Sequence, residues 1–225
     1  MPVWSPDSQR LAVAADLGHG GGVELQIIPT GAAEAPGTFH TSTFTLRPVA
    51  WSGDGRILFQ RIDQRDRVNL LTMAPQAGAE PLVFRADTYN YVQAAISPDG
   101  RHVAYASDLS GRFEVYVEDY PTPGNRRPVS HGGGTQPRWH PDGRVLYYLS
   151  PDHYLTAVRV NGVPPTYSEP RPLFALLMPE GNFRLQGANY DVAADGRILA
   201  AVLQEQAAEP RTATVWLGAT ATLRQ

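Results

Sequence analysis

The sequence has no cysteine among its 225 residues, which removes disulfide frameworks, thiolate metal sites and cysteine nucleophiles together. No 18 apolar residues run consecutively, so no membrane span is expected. No five like charges adjoin, and 19 basic against 22 acidic residues leave a net charge of −3. Nucleic-acid binding calls for a basic stripe, and without one no nucleic-acid partner is expected. The opening residues, Met1-Pro2-Val3-Trp4-Ser5-Pro6, lack a basic segment followed by an apolar one, so they do not read as a signal peptide. As written, the chain is expected to be soluble and cytoplasmic, and a longer parent is compatible with the periplasm.

What is present is turn chemistry. The 21 glycines and 20 prolines are spread along the chain as punctuation rather than gathered in one block, the composition of many short strands joined by tight turns. One corner recurs: Ile96-Ser97-Pro98-Asp99-Gly100-Arg101, followed by the alternating run His102-Val103-Ala104-Tyr105-Ala106. Its other copies are Trp4-Ser5-Pro6-Asp7-Ser8, Trp51-Ser52-Gly53-Asp54-Gly55-Arg56, Trp139-His140-Pro141-Asp142-Gly143-Arg144 and Val192-Ala193-Ala194-Asp195-Gly196-Arg197. Proline presets φ for a type I turn, aspartate bonds back to the local backbone, and glycine supplies the positive φ that reverses the strand. Each copy predicts a β-hairpin corner, and that geometry accounts for the repeated aspartates Asp7, Asp54, Asp99, Asp142 and Asp195 without catalysis.

The anchors Trp4, Trp51, Ile96, Trp139 and Val192 are spaced by 47, 45, 43 and 53 residues. Periods of this length with four strands per unit predict blades of a β-propeller. The fold class is therefore all-β: one domain, 1–225, of five recognisable four-stranded blades, incompletely closed, with units at about 1–40, 41–87, 88–131, 132–180 and 181–225. In the third unit the strands are expected at Tyr91–Ile96, Arg101–Ser107, Phe113–Glu118 and Arg127–Ser130. Third strands are expected at Val23–Ile28, Val68–Met73 and Leu155–Val160 in other units. The fifth unit is expected to hold strands at 197–203 and 212–217 and to lack a fourth. The recurring tryptophans are expected to pack between neighbouring blades, and Arg138 and Asp191, one residue before adjacent anchors, to pair across an interface.

The Ser-Pro-Asp-Gly-Arg corners at this spacing resemble the WD-like repeats of the TolB family of β-propellers, which also occur in prolyl-oligopeptidase-type peptidases. The resemblance covers essentially the whole chain and implies a propeller that binds a protein or peptide. Its last unit, with Thr214-Val215-Trp216-Leu217, is similar to the carboxy-terminal end of such arrays. The chain departs from the family in having five units where six or more are usual, no amino-terminal α/β domain and no hydrolase domain. It is thus expected to match the tail of a longer array or a truncation that stands alone, its ring closed or open; an open ring would leave edges at which two chains could pair as a homodimer.

In a propeller the Pro-Asp-Gly corners share one face with the loops joining third to fourth strands. The second-to-third loops and blade links lie on the other, around the channel mouth. That second set carries most of the chemistry. His19, His40, Asp87, His131, His153 and Glu180 are candidate ligands for a divalent metal ion, zinc or calcium, because histidine and carboxylate around an open coordination position let bound water ionise. Asp63, Arg65, Tyr89, Arg112 and Arg184 are candidate partner contacts. Two readings follow: a binding module that presents its mouth loops to a protein or peptide, and a metal-assisted hydrolase of esters or phosphoesters, phosphotriesterase- or lactonase-like. His19-Gly20-Gly21-Gly22 and His131-Gly132-Gly133-Gly134 match an esterase oxyanion motif, but no Gly-x-Ser-x-Gly elbow accompanies them. They read as turns, and a triad of Ser110, His131 and Asp108 has no further support.

Overall fold

The computed structural model describes residues 2–18, 21–31, 35–176 and 187–201. The described residues form strands and turns, with no helix. The first sheet is β1 (Val3–Trp4), β2 (Arg10–Asp16), β3 (Val23–Pro29) and β4 (Gly37–Ser42); the second is β5 (Thr45–Trp51), β6 (Ile57–Ile62), β7 (Val68–Met73) and β8 (Leu82–Arg85). The third holds β9 (Tyr91–Ile96), β10 (His102–Ser107), β11 (Glu114–Asp119) and β12 (Arg127–Pro128). The fourth holds β13 (Thr135–Trp139), β14 (Val145–Leu149) and β15 (Tyr154–Asn161), whose outer edge is shared by β16 (Thr166–Tyr167) and β17 (Arg171–Ala175). In the fifth, β18 (Tyr190–Val192) pairs with β19 (Ile198–Ala200). Every pairing is antiparallel between sequence neighbours or at an outer edge, the meander of a propeller blade. The segment 212–217 lies outside the described residues.

The second, third and fourth sheets bury both faces, whereas the fifth buries one, with Asp191 and Leu199 exposed on the other. Ile57, Phe59 and Met73 pack toward the first sheet with Leu25, whereas Leu58 and Leu70 pack toward the third with Tyr91 and Tyr105. All six residues of β7 are consequently buried, which is why that segment reads as a continuous run rather than a half-exposed alternation. Removing each such side chain from water contributes about 1.5–3 kcal/mol.

The corners form as the sequence predicts. In the third unit Ser97 Oγ donates to Asp99 Oδ1 at 2.6 Å, the same oxygen accepts the Arg101 N–H at 3.1 Å, and the Gly100 N–H reaches the Ser97 carbonyl at 2.9 Å. Asp7, Asp54, Asp142 and Asp195 accept the N–H two residues on in the same way. Gly100 takes φ of +69°, and in the first copy Ser8 is held at +58° in its place.

The anchors behave less uniformly. Trp139 is buried and its Nε1 donates to the Ala95 carbonyl of the preceding sheet at 3.1 Å. Trp51 Nε1 instead bonds its own corner at Gly55 at 3.3 Å, beneath the Arg10 guanidinium. Trp4 is 57% exposed, so packing between blades holds for Trp139 and for Trp51, which lies against the cluster of Ala12 and Leu25 in the first sheet, and not for Trp4. Arg138 and Asp191 do not pair. Arg138 donates to the Pro137 carbonyl at 3.1 Å, and Asp191 accepts the Val192 N–H at 2.9 Å.

Candidate functional site

The innermost strands β1, β5, β9, β13 and β18 follow one another around an axis, so the loops divide into the two faces expected. On the mouth face the predicted groups are largely committed to holding their own loops. Asp63 accepts the N–H groups of Arg65 and Arg67 at 2.8 and 3.0 Å and pairs with the Arg67 guanidinium at 2.8 Å. Burial raises its pKa, but these donors outweigh it and hold the carboxyl down at about 2. The Arg65 side chain is left exposed. Asp87 accepts the Tyr91 hydroxyl at 2.6 Å and the Tyr89 N–H at 2.9 Å, which leaves the Tyr89 ring 42% exposed.

Arg112 Nε donates to Glu114 at 2.7 Å. Glu114, which sequence reasoning missed, is the centre of that loop. Its carboxylate also takes the N–H groups of Gly132 and Gly133 at 3.1 and 2.8 Å and the Ser130 hydroxyl. The oxyanion-like glycine pair is thus filled from within the protein. Gly133 is required there, since a Cβ would meet Pro151 Cγ at 2.4 Å.

The histidines do not converge. His40 lies in the outer strand β4 opposite Leu25, not in the link to the second unit, because the strand continues two residues past the expected boundary. His131 and His153 are exposed in separate turns, His153 at φ of +64°. His19, Glu180 and Arg184 lie outside the described residues. Among the described residues no three His, Asp or Glu side chains are grouped to hold a metal ion. The paper triad is not assembled either: Asp108 accepts both the N–H and the side-chain amide of Asn90, and Ser110 Oγ donates to the Arg112 carbonyl. A recess of about 280 Å³ lies on this face, beside Arg61, Asp63, Asn69 and Asp87.

The large concavity is on the corner face. A groove of about 770 Å³ runs between the third and fourth units. The loops after β11 (120–126) and β15 (162–165) form its walls. The apolar floor is Val117, Trp139 and Val160, with Tyr167 beside it; the indole is fixed by the same bond to Ala95 that joins the units. The rim carries Asp99, Asp119 and Asp142 with Arg101, Arg127 and Arg144. Arg127 Nη1 donates to the Pro165 carbonyl at 3.0 Å, tying the two walls together, and Asn125 donates to Asp119 at 2.6 Å. Burial pushes the Tyr167 hydroxyl up to about 12; Arg127 lowers it, and Asp119 and Asp99 raise it. That phenol stays protonated, able to donate to an acceptor in the groove.

Solved structures of the same architecture share this arrangement of sheets. TolB from Acinetobacter baumannii matches at a TM-score of 0.64 with 14% identity over 90% of this chain and 48% of that one. The fold is that of a TolB-like β-propeller. A puromycin-hydrolyzing peptidase from Mycobacterium tuberculosis matches this propeller at 0.63, with 16% identity over 89% of it and 34% of the peptidase. Oligogalacturonate lyase from Vibrio parahaemolyticus matches at 0.59, with 13% identity over 90% and 61%. This TolB-like chain thus spans about half the length of TolB and a third of the peptidase. No protein-family model and no curated protein matches it in sequence.

Proposed function

We propose that this TolB-like propeller is a binding module that takes a protein or peptide segment in the groove between its third and fourth units. The observation that carries the reading is the groove itself: an apolar floor with a rigid indole, edged by side chains of both charges, the composition of a recognition surface with a buried core and a polar rim. In this reading the site lies on the face opposite the channel mouth expected from the sequence. A lyase and a peptidase carry the same fold, so the fold by itself selects no reaction. The metal-assisted hydrolase reading would need ligands brought together, and His40, His131 and His153 occupy separate strands and turns.

The test is selection of a displayed random dodecapeptide library on the purified protein. Peptides enriched on the wild type are expected to be lost on Asn161→Trp, which places an indole in the groove from an exposed position, and retained on Arg112→Ala at the mouth. Enrichment that survives Asn161→Trp and fails on Arg112→Ala would return the site to the mouth.

A further inference from the structure

The recess on the mouth face is separate from the groove and is built across the second sheet. It holds about 280 Å³ and is lined by Arg61 of β6, Asn69 of β7 and Asp87 in the link after β8, with Asp63, Arg67 and Ala86 beside them. Arg61 and Asn69 are direct cross-strand partners, so their side chains leave the sheet on the same side. Asn69 is 2% exposed and its Oδ1 accepts no hydrogen bond, while the buried Arg61 Nε donates none. Each carries the desolvation penalty of an unmade hydrogen bond. A donor and an acceptor unmet side by side call for an occupant that both accepts and donates.

The charges around the recess narrow the occupant further. Arg67 and Asp63 pair with one another at 2.8 Å, and Arg67 Nη1 also donates to the Asp87 carbonyl at 3.0 Å. Arg61 stacks on the Phe44 ring at 5.4 Å and makes no ion pair among the described residues. The Asp87 carboxylate takes the Tyr91 hydroxyl and the Tyr89 N–H and stands exposed at the lip. Strand order sets the three in a row: a cation on β6, an unmet acceptor on β7 and a carboxylate past β8, across strands about 4.8 Å apart. A lone anion meets Arg61 and is repelled by Asp87, a lone cation meets the reverse, and a neutral amide or a water uses neither charge. A zwitterion answers every group in the row.

We propose that this recess binds a free α-amino acid, its carboxylate accepting from Arg61 Nε and its ammonium donating to Asn69 Oδ1 and Asp87. The two charges of such a molecule flank a single carbon, the short separation that adjacent strands present. Two arginines and two aspartates leave the lining without net charge, which suits a ligand carrying one charge of each sign. Ala86 adds little apolar surface, so recognition rests on the head group and favours a small or polar side chain. The Arg67 bonds fix the Asp63 turn to the link that carries Asp87, which organises the recess before anything enters it.

The test is titration of the purified, isotope-labelled protein with glycine, L-alanine, L-serine and L-asparagine, read by NMR at the Arg61 Nε–H and the Asn69 side-chain amide. At least one of these amino acids is expected to shift both resonances saturably. Acetylating its amine or amidating its carboxylate is expected to weaken binding about tenfold or more, since each change removes a charged hydrogen bond. Arg61→Met and Asn69→Leu are both expected to abolish the binding. Asn69→Leu is also expected to leave the unliganded unfolding midpoint unchanged or raised, because the acceptor it removes has no donor. No saturable shift with any of the four, equal binding of the acetylated or amidated form, or binding that survives in Arg61→Met overturns the proposal.

Discussion

Gln93 Oε1 accepts the backbone N–H of Gln136, one unit further on, at 2.9 Å. Gln136 Oε1 in turn accepts the N–H of Asn189 at 2.7 Å. Both glutamines sit three residues before their anchors, at φ of +56°, where the pairing with the second strand slips by a bulge. The bulge turns the amide toward the next unit, so β9 and β13 each cap an otherwise orphaned donor of the following unit. Replacing Gln93 by Leu is expected to destabilise the fold by about 1–3 kcal/mol. Hydrogen exchange at the Gln136 amide is expected to accelerate selectively. Unchanged protection there would show that the relay contributes nothing.

The corners make a graded prediction. Ser8 occupies the left-handed position that glycine fills in the other copies, so Ser8→Gly is expected to raise stability by about 0.5–1 kcal/mol. Gly100→Ala is expected to lower it by a similar amount, through backbone conformation alone, because a Cβ at Gly100 meets no atom within 4 Å. Denaturant midpoints of the two variants, moving in opposite directions, check both.

Glu118 is fully buried, paired with the Arg85 guanidinium of the second sheet and accepting the Tyr105 hydroxyl at 2.8 Å. Desolvation, reinforced by Glu118, raises the pKa of Tyr105. Glu118→Ala strands the arginine and the phenol together, and a loss of about 3 kcal/mol is expected. Arg85→Met in the same background is expected to recover part of it, because it removes the unpaired charge. No recovery in the double variant would show that the two do not act as a pair.

Acid is expected to unfold the protein through its loops and corners. The carboxyls of Asp63, Asp99, Glu114 and Asp142 are all held below their usual range: burial raises each, and the hydrogen bonds that hold the local turn outweigh it. A folded pKa below the unfolded value of about 4 means stability fully present above pH 4 and lost as pH falls toward the folded value. For Asp63 that window ends near 2. Asp63→Asn is expected to flatten the stability profile between about pH 4 and pH 2. A profile identical to the wild type would remove Asp63 from the account.

The fold was legible because its signals are local. Turn chemistry at Pro98-Asp99-Gly100 and the runs Tyr91–Ile96 and Val68–Met73 place strands within a residue or two of where they form. The groove was not, because it is made between units. Trp4, Trp51 and Trp139 hold one repeat position, yet only Trp139 finds a carbonyl of the preceding sheet and becomes a groove floor. Glu114 looked like an ordinary strand residue, and its role depends on glycines eighteen and nineteen positions away. The glutamine relay did leave a trace: Gln93 and Gln136 are the same residue at the same distance before adjacent anchors.

The groove is tested most directly by hydrogen–deuterium exchange on the protein with and without a dodecapeptide enriched by display. Added protection is expected at 97–102, 117–127 and 160–167, with the mouth segments 63–67, 87–90 and 131–134 unchanged. Protection confined to the mouth segments would contradict the account.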